Sequence, residues 1–172
     1  MKPKEIKSTD PYDWTEILVA SRSEGHNMVK RLRDDFKAGA NRFDAPGELL
    51  LADLQDETVV AVAGLNVEPE QDLPRAGRVR RLYVVPRCRG NGLARSLLDQ
   101  IITHAAHTFD VLTVHVGTSD ARGFSEHLGF TPVDHAGITH MKELPHNRRP
   151  RLRLASSPNL NADVRRCDQK TD

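Results

Sequence analysis

Six residues, Arg89-Gly90-Asn91-Gly92-Leu93-Ala94, combine the residue types that capture an anion. They stand between an apolar run, Leu82-Tyr83-Val84-Val85-Pro86, and an amphipathic stretch in which Leu93, Leu97, Leu98, Ile101, Ile102 and Ala105 recur at helical spacing. The first run reads as a strand, ended by a proline that lacks a ladder N–H. Small residues in the turn leave the N–H groups of the first helical turn open. Those groups and the helix dipole favour a negative charge, and Arg87 and Arg89 add formal positive charge. The pattern is a phosphate cradle at the end of a strand. A P-loop would need Gly-Lys-Ser/Thr, whereas Leu93 and Ala94 follow Gly92. A dinucleotide fingerprint would need a third glycine where Arg95 stands, and an acid after the next strand, whereas Asp110 precedes it.

What remains resembles the acetyl-CoA loop of the GNAT superfamily of N-acetyltransferases, Arg/Gln-x-x-Gly-x-Gly/Ala, which Arg89, Gly92 and Ala94 satisfy. The register Arg87-Gly90-Gly92 would start the helix too early for its apolar pattern. A second landmark is Phe124 to Phe130, FSEHLGF, which is similar to the family's FYEKLGF-like segment. The resemblance covers about Glu5 to Leu144 and implies transfer of acetyl from acetyl-CoA, with no metal, to the primary amine of a small molecule or protein. It further implies phosphate binding by Arg89, Gly90, Asn91, Gly92, Leu93 and Ala94, and alignment of the pantetheine arm by the main chain of Leu82, Tyr83 and Val84. The family's asparagine before the last helix is Thr118 here, whose hydroxyl could bond the cofactor.

Proton removal dominates that chemistry, because presenting an amine of pKa ~10.4 as free base at pH 7 costs about 4.6 kcal/mol. The central strand carries no acidic residue, and the glutamate that some relatives keep on the following strand would fall at Thr113. His115, two residues on, could take the proton directly or through water, with Tyr83 as a second candidate. The tyrosine that relatives use as general acid is replaced by Ser125, which leaves Ser125, Tyr83 or water to protonate the thiolate. Glu24, Arg42 and the acidic stretch Glu68, Glu70, Asp72 are candidate acceptor contacts, the stretch being expected as a solvated loop. His104 and His107, three apart with no third ligand in reach, read as surface residues.

These residues must be positioned by an α/β (α+β) fold of the GNAT type. The expected sheet is mixed, mostly antiparallel, of about six to seven strands with about four flanking helices. The chain order predicts a strand at Glu5–Ser8 and a helix capped by Asp10-Pro11 that runs through Trp14, Ile17, Leu18 and Ser21 towards Gly25. A second helix spans Met28 to Phe36 and ends near Gly39. Strands at Leu49–Leu54 and Val59–Leu65 flank the turn Gln55-Asp56-Glu57, and an acidic loop from Asn66 to Gly77 follows. After the central helix come a strand at Val111–Val116 parallel to the central one, a helix at Ala121–Leu128 stopped by Gly129, and a hairpin of Phe130–Val133 with Ile138–Leu144.

Apolar residues make up 38% of the chain and charged ones 28%, the balance of a protein with a core, and the net charge of +1 exerts no global pull on nucleic acid or membrane. The amino-terminal MKPKEIKSTD lacks the apolar core of a signal peptide, and Cys88 and Cys167 cannot make a disulfide framework. The expected location is therefore the cytoplasm. An acetyltransferase domain is expected over residues 1–145. Residues 146–172 carry seven Lys/Arg against three Asp, a charge of +4 that leaves −3 for the body. This reads as a disordered tail rather than a nucleic-acid arm. A monomer and a homodimer both stay open. The alternative from another class is a non-catalytic acyl-CoA-binding or interaction module on the same fold.

Overall fold

The computed structural model describes residues 2–70 and 72–145; the basic segment 146–172 lies outside them. In chain order the elements are β1 (Lys4–Glu5), α1 (Thr15–Ser23), α2 (Met28–Ala38), β2 (Leu49–Gln55), β3 (Thr58–Val67) and β4 (Ala76–Val84). A 3₁₀ turn at Pro86–Cys88 leads to α3 (Leu93–Ala105), β5 (Val111–Val114), α4 (Ser119–His127), β6 (Thr131–His135) and β7 (Ile138–Glu143). The seven strands form one sheet in the order β1-β2-β3-β4-β5-β7-β6. Only β4 and β5 run parallel, as the intervening helix requires. No described helix is long and apolar enough to cross a membrane.

The core explains the apolar runs. From Val59 to Leu65 β3 is buried without alternation, because α1 packs on it from one side and α3, which also touches β2 and β4, from the other. Leu93, Leu97, Leu98, Ile101 and Ala105 are the buried stripe of α3, so the helical spacing in the sequence identifies the face that meets the sheet. Gly64 has no side chain because the Phe43 ring occupies the space a Cβ would take. That contact holds the loop between α2 and β2 down on the sheet.

Several boundaries differ from the sequence reading. The first helix begins at Thr15, not after Asp10-Pro11. Asp13 N–H donates to the Glu57 carbonyl and the Asp13 carbonyl accepts from Val59 N–H, which holds this segment extended beside β3. The Asp13 carboxylate then accepts from Thr15 N–H at 2.8 Å and caps the helix. β1 is shorter than expected and lies earlier, whereas β3 extends to Val67 and β4 starts at Ala76, taking in residues expected as loop. The strand expected to reach Val116 stops at Val114. Thr139 Oγ1 donates to the Val114 carbonyl and accepts from Val116 N–H, so a side chain replaces the ladder there. His115 is consequently outside the strand and exposed.

Two features of β4 shape the centre of the sheet. Val62 pairs with Tyr83 and Gly64 with Arg80, so Arg81 and Leu82 together face Ala63 in a bulge where Arg81 adopts φ +61°. On the other edge, β4 pairs with β5 only at Ala76–Val111, Gly77–Leu112 and Arg78–Thr113. Beyond that last pair the strands part. The expected solvated loop does not hold for Glu68. Its side chain is fully buried and reaches Arg78 Nε at 2.8 Å, lies 2.6 Å from Arg78 Nη2, and accepts from Thr113 Oγ1. One carboxylate thus ties together the two residues at which the strands diverge. Removing one partner of a buried pair leaves an uncompensated charge. Glu68→Ala should lower stability by about 3–5 kcal/mol in urea unfolding, and the double variant Glu68→Leu/Arg78→Met should recover most of that loss.

Candidate functional site

The cradle is built by the chain leaving β4. Arg89 is extended, Gly90 and Gly92 are left-handed at φ +77° and +76°, and α3 starts at Leu93. This start favours the register Arg89-Gly92-Ala94. The first bond of the helix runs from Ser96 N–H to the Gly92 carbonyl, leaving the N–H groups of Leu93, Ala94 and Arg95 without a helical acceptor. A Cβ at Gly90 or Gly92 would meet nothing within 4 Å, so both face open space. Their conformation, rather than close packing, is what calls for glycine. Asn91 Nδ2 donates weakly to the Cys88 carbonyl at 3.4 Å, and Cys88 itself is buried. Leu82 is half-buried, while Tyr83, Val84 and Leu93 are buried. Because Val85 N–H bonds the Val60 carbonyl, alternation turns the main-chain groups of Val84 away from β3, towards the side that β5 has left.

Both arginines expected to lend charge to the cradle are paired. Arg87 forks onto Glu16 at 2.5 and 2.7 Å and reaches Gln55 at 2.6 Å. Arg89 forks onto Glu24 at 2.8 and 2.6 Å, and its Nε donates to the Val84 carbonyl at 3.0 Å. Glu24, just past the end of α1, also accepts from the Tyr83 hydroxyl at 2.7 Å. The Arg89 guanidinium lies 5.5 Å from the centre of the Tyr83 ring, and His26 meets that ring edge-on at 6.4 Å. Hydrogen bonds from Arg89 and then Tyr83 hold the Glu24 carboxyl down to about 2. Burial and the hydrogen bond to Glu24 push the Tyr83 phenol well above its ordinary value. The cluster braces α1, β4 and the cradle against one another.

The other expected site residues are dispersed. Ser125 is buried and donates to the Ala121 carbonyl of its own helix at 2.8 Å. Thr118 caps α4 by accepting from Ala121 N–H at 3.3 Å. His115 is exposed at the end of β5. On the α2 side of β4 lies a cavity of about 460 Å³, lined by the loop after α2, by the end of β3, and by Arg80 and Arg81 at the bulge. The lining takes in Asn41, Arg42 and Asp44, and Asn41 and Asn66 exchange amide hydrogen bonds there at 2.9 and 3.1 Å. Sequence reasoning missed Arg80 altogether and underrated Glu24. The signal for Arg80 was a run of arginines, Arg78, Arg80 and Arg81, inside a strand whose neighbours are apolar.

Residues 12–130 match the model of the acetyltransferase (GNAT) family. No curated protein matches the chain in sequence. Among solved structures, the chain is similar to a protein of Exiguobacterium sp. 255-15 assigned as an acetyltransferase, with 29% identity and a TM-score of 0.74 over 83% of this chain and 92% of that one. It shares its fold with the ribosomal-protein-alanine N-acetyltransferase of Brucella melitensis, with 18% identity and a TM-score of 0.61 over 84% and 100% of the two chains. It also shares its fold with a mutant AtaT toxin bound to the C-terminus of the antitoxin AtaR and to acetyl-CoA, with 14% identity and a TM-score of 0.64 over 83% and 92%. With the family model matched over most of its length, on a seven-stranded sheet opened between β4 and β5, this chain belongs to the GNAT acetyltransferase family.

Proposed function

We propose that the protein transfers an acetyl group from acetyl-CoA directly to a primary amine. The observation that carries this reading is the junction of β4 and α3. There the open N–H groups of Gly92 to Arg95 adjoin a strand edge that no neighbour pairs. A diphosphate lies naturally on those N–H groups, with Arg89, Gly90 and Asn91 forming the wall of the cradle. The pantetheine arm then runs along β4 as an added strand would, its amides meeting the main chain of Leu82 to Val84. A fold shared with a structure that holds acetyl-CoA supports this cofactor.

In the transfer the amine nitrogen attacks the thioester carbon, the C–N bond forms, and the resulting oxyanion collapses with cleavage of the C–S bond. A main-chain N–H at the bulge, aimed at that oxyanion in a dry site, contributes on the order of 3 kcal/mol. The ammonium must first lose its proton, and His115 passes it to solvent through water. The departing thiolate is a tolerable leaving group, its parent thiol pKa being about 8.5 if like cysteine. The attacking nitrogen gives up its second proton to water as the intermediate collapses, and water returns one to the thiolate, because the Ser125 and Tyr83 protons are held by Ala121 and Glu24. That same commitment of Ser125 and Tyr83 favours the rival reading, an acyl-CoA-binding module without turnover. Such a module would bind acetyl-CoA and release no thiol with any amine.

Three measurements test this reading. Gly92→Glu places bulk and charge at the phosphate site, and Gly92→Ala, which carries the same backbone strain at φ +76° without the charge, serves as its control. The acetyl-CoA affinity of Gly92→Glu in calorimetry should fall at least about 100-fold and well below that of Gly92→Ala, both variants losing a little Tm to the strain, and unchanged affinity would move the cofactor elsewhere. In the His115→Gln variant the acid limb of the kcat/KM profile should flatten, whereas an unaltered limb would clear His115 of proton transfer. The third measurement concerns Glu24. Its folded-state value is depressed, so its contribution to stability is complete above the ordinary value of 4.5 and is lost as pH falls towards about 2. The Tm deficit of Glu24→Gln should therefore be full near pH 6 and shrink steadily below pH 4.5.

A further inference from the structure

The cavity beside the bulge contains three arginines and three carboxylates, and most of these have partners or solvent. Both Glu48 oxygens accept main-chain N–H groups, from Val67 at 2.9 Å and Ala45 at 3.4 Å. Asp35 lies 3.5 Å from Arg81. Arg42 and Asp44 are exposed and solvated by water. Arg80 has no ion-pair partner among the described residues, and it is less exposed than Arg42 and Asp44. It is half-buried, and its Nε is closed off from solvent with no hydrogen-bond acceptor. Burial, with Arg78 and Arg81 beside it, makes its charge costly to keep. Glu48 and Glu68 offset that cost only from a distance, as neither forms an ion pair with it.

A guanidinium that lines a cavity of small-molecule size without an ion-pair partner can receive a planar anion at its outer nitrogens. We propose that this cavity receives the acceptor and that Arg80 binds a carboxylate which the acceptor carries, so that the substrates are small amino-carboxylates rather than simple amines. The inference rests on the acetyl-transfer reading and names the substrate class. Arg80 stands three residues before Tyr83, about 10 Å along an extended strand, and its own side chain spans part of that distance. A carboxylate held by Arg80 thus leaves an amine a few bonds away directed towards the main chain of Leu82 to Val84. The left-handed Arg81 contributes by turning the strand at this point, so that Arg80 faces the cavity, whose lining it forms, while Tyr83 is buried against Glu24.

The test is thiol release from acetyl-CoA by matched amines: α- and ω-amino acids, their carboxamides, and the decarboxylated amines. The wild-type protein is compared with Arg80→Gln and Arg80→Lys. One charge-assisted hydrogen-bonding group is expected to favour the acid over its amide by about 10- to 100-fold in kcat/KM, mostly through KM. Arg80→Gln should abolish that preference by lowering kcat/KM for the acids far more than for the substrates without a carboxylate, with a Tm no lower than wild type because an unpaired cation has been removed. Arg80→Lys should restore part of the preference. Amides or decarboxylated amines acetylated as well as the acids by the wild-type protein would overturn the inference while keeping the acetyl-transfer reading. So would a preference that survives in a folded Arg80→Gln. Binding of acetyl-CoA with no thiol released by any amine would overturn both.

Discussion

A single buried carboxylate stands at the point from which this molecule opens. Glu68, just past the end of β3, bonds Arg78 on β4 and Thr113 on β5, the last residues at which those strands pair. A buried ion pair adds little net stability, since desolvating two charges consumes most of what their attraction returns. What it supplies is a unique geometry. Three contacts from one carboxylate fix where β4 and β5 are joined, and therefore where they separate. The bulge at Arg81 acts in the same direction by adding twist to β4 just after the tie. The gap between the strands is thus a determined feature of the sheet, and it creates the unpaired strand edge that a pantetheine arm can use.

The second determinant is electrostatic and lies at the other end of β4. Arg89 belongs by sequence to the anion cradle, yet its fork is spent on Glu24 and its Nε on the Val84 carbonyl. The cradle therefore offers an anion oriented N–H groups and a helix terminus more than free formal charge. An arginine held on both sides keeps the loop still, so the N–H groups are preorganised before a ligand arrives. Glu24 performs this task because three donors lie around one carboxylate, which is also why its proton is so weakly held.

The cradle and its helix were legible in the sequence because their information is local. Glycine spacing, a proline stop and a 3.6-residue apolar stripe all fall within about thirty residues, and α3 begins where that stripe predicts. Strand order was legible at one remove, since an intervening helix permits β4 and β5 to be parallel. The acid at the divergence point was not. At Thr113 the sequence raises only the question of a catalytic glutamate, whereas the fold brings Glu68 to the Thr113 hydroxyl from 45 residues away as a structural tie. Glu24 reaches Arg89 across 65 residues. No periodicity encodes such pairs, and a charged residue beyond a helix or strand end looks the same whether solvated or buried. The misplaced end of β5 has a similar origin, because the hydroxyl of Thr139 ends the ladder and leaves His115 outside.

Arg78 and Arg80 make this argument within a single strand. They are two residues apart and have the same side chain, and both are largely removed from water. Arg78 meets a fully buried glutamate and becomes part of the scaffold, whereas Arg80 forms no ion pair with any described carboxylate. An orphaned buried donor costs about 1–3 kcal/mol, more when it is charged, and a structural arginine would be matched by a side chain of the protein. The same strand therefore carries one cation that closes the fold and one that the fold leaves open, and the cavity lies at the open one.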